Sequence, residues 1–138
     1  MKNSKQDGFS LIELLLVVTI LAIVAALAIP SFMKAARMTE NGVTWSIMRT
    51  ISSSQASFYA QNNRWARITE INDRTGNTLG VNVGDKMIRG KFTYEMFPQP
   101  SPTDDDLRQK YVITAVRMDD TIYKFELNQS GEIEQVLP

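Results

Sequence analysis

From Phe9 to Ile29 the chain is apolar except at Ser10, Glu13 and Thr19. As a helix rising about 1.5 Å per residue, this stretch would span about 31 Å, the thickness of a bilayer's hydrocarbon core. Such a segment must be covered by lipid or by other chains before the remaining residues can build a fold of their own. Residues 1–8 ahead of it are polar and carry Lys2 and Lys5, and positive charge flanking an apolar span stays on the cytoplasmic side. Glu13 is the exception inside the run. An acid at the bilayer centre costs about 2.5–3.5 kcal/mol on insertion scales, so an intramembrane carboxylate calls for a partner and marks a functional position.

With the first third of 138 residues committed to that helix, the rest can form only one small domain. Fifteen basic and fifteen acidic side chains cancel, and no basic cluster points to nucleic acid. The absence of cysteine excludes disulfides, thiolate nucleophiles and zinc–thiolate sites. The absence of histidine removes the usual general base and metal ligand, which makes an enzyme the least expected reading. Ser52-Ser53-Ser54 has no activating neighbour in sequence and reads as a polar helix face. Phe58, Tyr59, Trp65, Tyr94, Tyr111 and Tyr123 read as core or rim packing. Asp104-Asp105-Asp106 and Asp119-Asp120 offer oxygen ligands for calcium without the spacing of an EF-hand loop, so no metal or cofactor is expected.

Pro30 ends the apolar run, removes one backbone donor and crowds the preceding turn, which predicts a kink or local melting over residues 26–30 within a longer helix. Helical composition resumes at Ser31. Val43, Ile47, Ile51 and Phe58 then recur near helical spacing, with Thr44, Arg49, Ser52 and Gln55 between them, so the second half is an amphipathic helix reaching about Gln61. Residues 62–90, punctuated by Asn72-Asp73, Gly76-Asn77, Gly80, Gly84-Asp85 and Gly90, read as a connecting loop with at most a short helical or strand piece. After Gly90 the period changes to two. Phe92, Tyr94 and Met96 alternate with polar residues, Pro98, Pro100 and Pro102 make a stiff connection, Tyr111–Met118 and Thr121–Leu127 flank an Asp119-Asp120 turn, and Ile133–Leu137 follows Gln129-Ser130-Gly131. The pattern predicts an α+β fold: a long N-terminal helix packed on an antiparallel sheet of three or four strands.

Gly8-Phe9-Ser10-Leu11-Ile12-Glu13, its aliphatic continuation and the Ala28-Ile29-Pro30 exit resemble the class III signal of type IV pilins and of the pseudopilins of type II secretion. Phe58-Tyr59-Ala60-Gln61-Asn62-Asn63-Arg64-Trp65 resembles the end of the long pilin helix. The resemblance implies cleavage by prepilin peptidase between Gly8 and Phe9, N-methylation of Phe9, and pairing of Glu13 with the new α-amine of an adjacent subunit. It divides the chain into a leader (1–8), a transmembrane and fibre-core helix half (9–30, with Glu13 and Pro30 as assembly residues), an amphipathic helix half (31–61), a connecting loop (62–90) and a sheet domain (91–138).

The implied function is a structural subunit of a type IV pilus, a homo-oligomer held through Phe9 to Ile29. An inner-membrane assembly platform and a motor ATPase would be its partners, with single-pass inner-membrane insertion before export to the cell surface. One alternative is a pseudopilin in a periplasmic filament, and one of another class is a monomeric membrane-anchored periplasmic binding domain. The chain departs from many pilins in lacking a C-terminal disulfide. A conventional secretory signal cut after Ala26-Leu27-Ala28 is the competing reading of the N-terminus, and Glu13 argues against it.

Overall fold

The computed structural model describes residues 8–99, 101–119 and 122–138. Most of the leader, Pro100, Asp120 and Thr121 therefore lie outside the described residues, and with them half of the Asp119-Asp120 turn. The chain divides into two compact units, one up to Thr39 and one from Glu40 to Pro138. Helix α1 (Leu11–Asn62) supplies the described helix of the first unit and the opening of the second. It is helical through Pro30 and Gly42, so the local melting expected over residues 26–30 does not occur. A proline costs the one hydrogen bond its missing N–H would make, and the leucines, alanines and methionines around it keep good helix propensity.

In the second unit α1 is followed by α2 (Ile68–Arg74), β1 (Val81–Val83), β2 (Lys86–Arg89), β3 (Phe92–Phe97), α3 (Asp104–Gln109), β4 (Val112–Met118), β5 (Ile122–Asn128) and β6 (Ile133–Leu137). The strands form one antiparallel meander in chain order. The sheet thus has six strands where the sequence predicts three or four. The two additional strands, β1 and β2, fall in the glycine-rich stretch. Gly84 and Gly90 take φ of +60° and +58° in two-residue loops that pair Val83 with Lys86 and Arg89 with Phe92. What reads as loop punctuation is the positive-φ glycine that tight hairpins require.

The buried face of α1 is Thr44, Ile47, Met48, Ile51, Gln55 and Phe58, spaced three or four residues apart as one stripe. It differs from the expected face at both edges: Val43 is exposed, whereas Thr44 and Gln55 are buried. Opposite it lie Met87, Phe92, Tyr94, Met96, Ile113, Ala115, Phe125 and Leu127 in one core. The alternation in β3 and β5 holds as read, with Phe92, Tyr94 and Met96, then Phe125 and Leu127, inward.

Gln55 is buried because its amide acts as a piece of backbone: Nε2 donates to the carbonyl of Ala66 at 2.7 Å and Oε1 accepts from the Ala66 N–H at 2.8 Å. That pair fixes the chain's return after α1. Asn72, fully buried, does the same for β1, accepting from the N–H groups of Leu79 and Gly80 at 3.2 Å each and donating to the Gly80 carbonyl at 2.9 Å.

Arg64 clamps Glu70 through two hydrogen bonds of 2.9 and 2.7 Å. Glu70 also accepts from the Arg67 N–H at 2.7 Å, and the Arg67 side chain reaches Asp104 at 2.7 Å. The segment 62–90 is therefore tied by polar side chains on both sides. Asp104-Asp105-Asp106 forms the first turn of α3. Thr103 caps it by accepting from the Asp106 N–H at 3.2 Å while Asp106 accepts from the Thr103 N–H at 2.9 Å, the reciprocal arrangement of a capping box.

Two outcomes test this packing. At Gly80 an added Cβ would lie 2.7 Å from the Ile88 carbonyl oxygen, a backbone atom that cannot yield, so Gly80→Ala should destabilise the chain by about 1–3 kcal/mol in denaturant titration. The hydrogen bond from Arg64 holds Glu70 below its ordinary value of 4.5. A depressed carboxylate adds stability above its unfolded pKa and loses it as pH falls through the folded one. Thermal stability should therefore decline below about pH 4.5, and Glu70→Gln should flatten that decline.

Candidate functional site

The first unit is where the sequence places its special residues. Ser10-Leu11-Ile12-Glu13 starts α1. Ser10 precedes the first helical residue, and Glu13 Oε2 accepts from the Ser10 N–H at 2.8 Å, satisfying a donor that the helix itself leaves open. Glu13 also lies in the first turn, where its charge meets the positive end of the helix dipole. In the single chain, then, Glu13 serves as a local cap. Phe9 is 80% exposed. A Cβ added at Gly8 meets nothing within 4 Å, so packing among the described residues gives no reason for glycine there.

From Leu11 to Met38 the large apolar side chains of α1 stay in the open, Leu11 at 82%, Leu27 at 75% and Phe32 at 76% among them. The stretch is long and apolar enough to cross a membrane. Its hydroxyls are quiet: Thr19 donates to the Leu15 carbonyl at 2.8 Å and Thr39 to that of Ala35 at 3.1 Å, the helical back-bond that lets threonine sit in an apolar environment. No other charge separates Glu13 from Lys34. Pro30 lies on this helix with its neighbours exposed.

In the second unit the structure brings together a group that the sequence reading missed. Arg117, within the predicted strand Tyr111–Met118, points to the core side of β4 with its side chain 1% exposed. It meets Glu40 of α1 at 2.5 Å and Asp119 at 2.5 and 2.7 Å, and Asp119 also meets Lys91 at 3.2 Å. A buried guanidinium needs such partners. The clue available in sequence is the parity of β4, which puts position 117 in line with Ile113 and Ala115. Four of the acids considered for calcium have partners among the described residues: Asp104 with Arg67, Asp105 with Arg108, Asp106 in the α3 cap, and Asp119 with Arg117 and Lys91; Asp120 lies outside the described residues. Among the described residues no three carboxylates converge on one point.

Residues 3–29 match the family described as the prokaryotic N-terminal methylation motif. Over 94 residues the chain is 30% identical to the type IV major pilin protein PilA of Myxococcus xanthus (strain DK1622), an overlap covering 63% of this chain and 43% of that protein. The chain carries the prokaryotic N-terminal methylation motif and is similar to a type IV pilin over part of its length. It spans less than half the length of this pilin relative, and no solved structure matches it. Motif and bare helix agree in supporting inner-membrane anchoring by the N-terminal part of α1, and the α+β arrangement of helix and antiparallel sheet is pilin-like.

Proposed function

We propose that the chain is the structural subunit of a type IV pilus. It is inserted in the inner membrane as a prepilin, cleaved after Gly8, N-methylated at Phe9 and assembled into a helical filament through residues 9–29. The observation that carries this reading is the apolar half of α1, with its large apolar side chains exposed and headed by a single carboxylate inside the methylation motif. Burying such a helix in lipid is only half of a function, because an inert anchor has no use for a glutamate and a processing motif. Packed against copies of itself, the same surface gains protein contacts without losing apolar cover.

The freedom around Gly8 supports the processing step, since nothing among the described residues requires the absence of a side chain there. Glu13 supports the assembly step. Cleavage creates a positive α-amine at Phe9, about one helical turn away. When helices bundle away from water, a carboxylate and an amine brought together offset the cost of burying either alone. Glu13 then exchanges the Ser10 amide of its own chain for the amine of a neighbour. Prepilin peptidase, an assembly platform and a motor ATPase are the partners such a subunit needs, and Pro30 marks where the fibre-core half of α1 gives way to the half that begins the second unit.

Glu13→Leu provides the test. The variant should insert in the membrane at the wild-type level while labelled filaments in the sheared surface fraction, counted by electron microscopy, fall at least about tenfold, the loss of one buried charge pair. Unchanged filaments would remove the assembly role of Glu13. Wild-type filaments confined to the periplasm would indicate a pseudopilus in place of a surface pilus.

A further inference from the structure

Asn128 alone among the asparagines of this chain is followed two positions later by serine or threonine, in Asn128-Gln129-Ser130. That pattern is the acceptor for N-linked glycan, and because it also arises by chance, the surrounding geometry decides whether it carries meaning. The three residues sit where β5 turns into β6, and Gln129, Ser130, Gly131 and Glu132 are exposed. Asn128 falls on the face of β5 that Lys124 and Glu126 share, opposite the inward Phe125 and Leu127. Its Oδ1 accepts from the Ser130 N–H at 3.0 Å, the Glu132 N–H at 3.2 Å and the Ser130 hydroxyl at 2.5 Å. The two backbone donors already hold the turn, which the Gly131 N–H closes on the Asn128 carbonyl at 3.0 Å. The hydroxyl is therefore surplus to folding. The amide nitrogen, by contrast, makes one long contact among the described residues, to Glu132 Oε2 at 3.4 Å. Asn62, Asn72 and Asn82 spend theirs on hydrogen bonds of 2.9–3.0 Å.

We propose that Asn128 is an N-glycosylation site, modified outside the cytoplasm by an oligosaccharyltransferase that draws on a polyprenyl-diphosphate-linked oligosaccharide. Asn128 Nδ2 attacks C1 of the donor's first sugar. The N–C1 bond forms as the C1–O bond to the diphosphate breaks, the diphosphate leaves with that electron pair, and one Nδ2 proton passes to a carboxylate base of the transferase. An amide nitrogen is a weak nucleophile because its lone pair is shared with the carbonyl. As the proton leaves, negative charge gathers on Oδ1, where three donors are already aimed, and hydrogen bonds fixed in advance on a developing charge favour the step. The Ser130 hydroxyl is the closest of them, which gives the acceptor pattern's hydroxyl a physical role at this site. Access follows from topology. Among the described residues α1 is the one helix long and apolar enough to cross a membrane, Lys2 and Lys5 precede it, and flanking positive charge stays cytoplasmic, so residue 128 lies on the far side. The site rests on the inner-membrane anchoring of the chain and is independent of filament assembly.

The test takes full-length chain from its native membrane, digests it and reads the peptide that holds Asn128 by mass spectrometry, with intact mass and N-terminus measured on the same sample. A sugar mass increment should localise to Asn128. It should vanish in Asn128→Gln, fall at least about tenfold in Ser130→Ala and persist in Ser130→Thr, which keeps the hydroxyl. Made in cells without such a transferase, Ser130→Ala should melt at the wild-type temperature, which separates loss of the acceptor from loss of the fold. Three results would overturn the proposal: a bare Asn128 in the membrane-inserted chain, an increment that survives Ser130→Ala, or a sugar carried on the Ser130 oxygen. The N-terminus reports on the filament reading separately. A bare Asn128 on a chain that begins at N-methylated Phe9 overturns this site alone, whereas a sugar on a chain that begins at Met1 overturns the processing alone. A chain confined to the cytoplasm overturns the anchoring and the site together.

Discussion

The N-terminal unit of this chain is governed by an apolar surface that it cannot cover by itself. Burial of a leucine, isoleucine or phenylalanine is worth about 1.5–3 kcal/mol, and from Phe9 to Met38 such side chains stand exposed one after another. In water the sum would reach tens of kcal/mol, more than a small domain's whole stability of about 5–15 kcal/mol. The helix must therefore always have a second solvent. A bilayer is one. A bundle of identical helices is another, and the two share a surface, so a subunit can pass from the first to the second without exposing the segment to water. In the proposed filament Glu13 would mark the difference between the two environments, because a bundle would bring it a positive charge from another chain.

The second unit solves an unrelated problem with polar side chains. Lacking cysteine, it closes its long connections through groups that imitate backbone or pair charge. Gln55 takes both polar groups of Ala66, Asn72 gathers the start of β1, Arg64 and Arg67 bind Glu70 and Asp104, and Arg117 joins Glu40 of α1 to the end of β4. Each of these groups is satisfied, as burial of a polar atom demands. The arrangement leaves the apolar contacts of α1 with β3, β4 and β5 to supply the core, and it explains why a sheet with short first and second strands can still be ordered.

Much of this is written plainly in the residues. The span shows because twenty apolar residues in a row have few other uses, and β3 and β5 show because alternation is a strong signal when one face is buried, while β6 shows only through the turn before it. β1 and β2 escaped because strands of three and four residues are too short for alternation to register, and because a hairpin glycine looks the same as a loop glycine until its φ is known. α3 leaves a legible trace in Thr103-Asp104-Asp105-Asp106, a capping sequence that a reading of these acids as calcium ligands passes over. Gln55, Asn72 and Arg117 were unreadable for a different reason: a polar residue in a core depends on partners 11, 8 or 77 positions away, and local pattern carries no information at that range. Glu13 was legible as a special position, and its bond to Ser10 shows that the single chain uses it as a cap, so the assembly role proposed for it would require a change of partner.

The most direct test of the account is the N-terminus of the chain recovered from its native membrane and from the sheared surface fraction, read by intact mass and N-terminal sequencing. The account predicts N-methylated phenylalanine at position 9, with residues 1–8 removed and the apolar half of α1 retained. A chain that begins at Met1 or at Ile29 would contradict it: the first would leave an unprocessed anchor, and the second would discard the helix on which the filament depends.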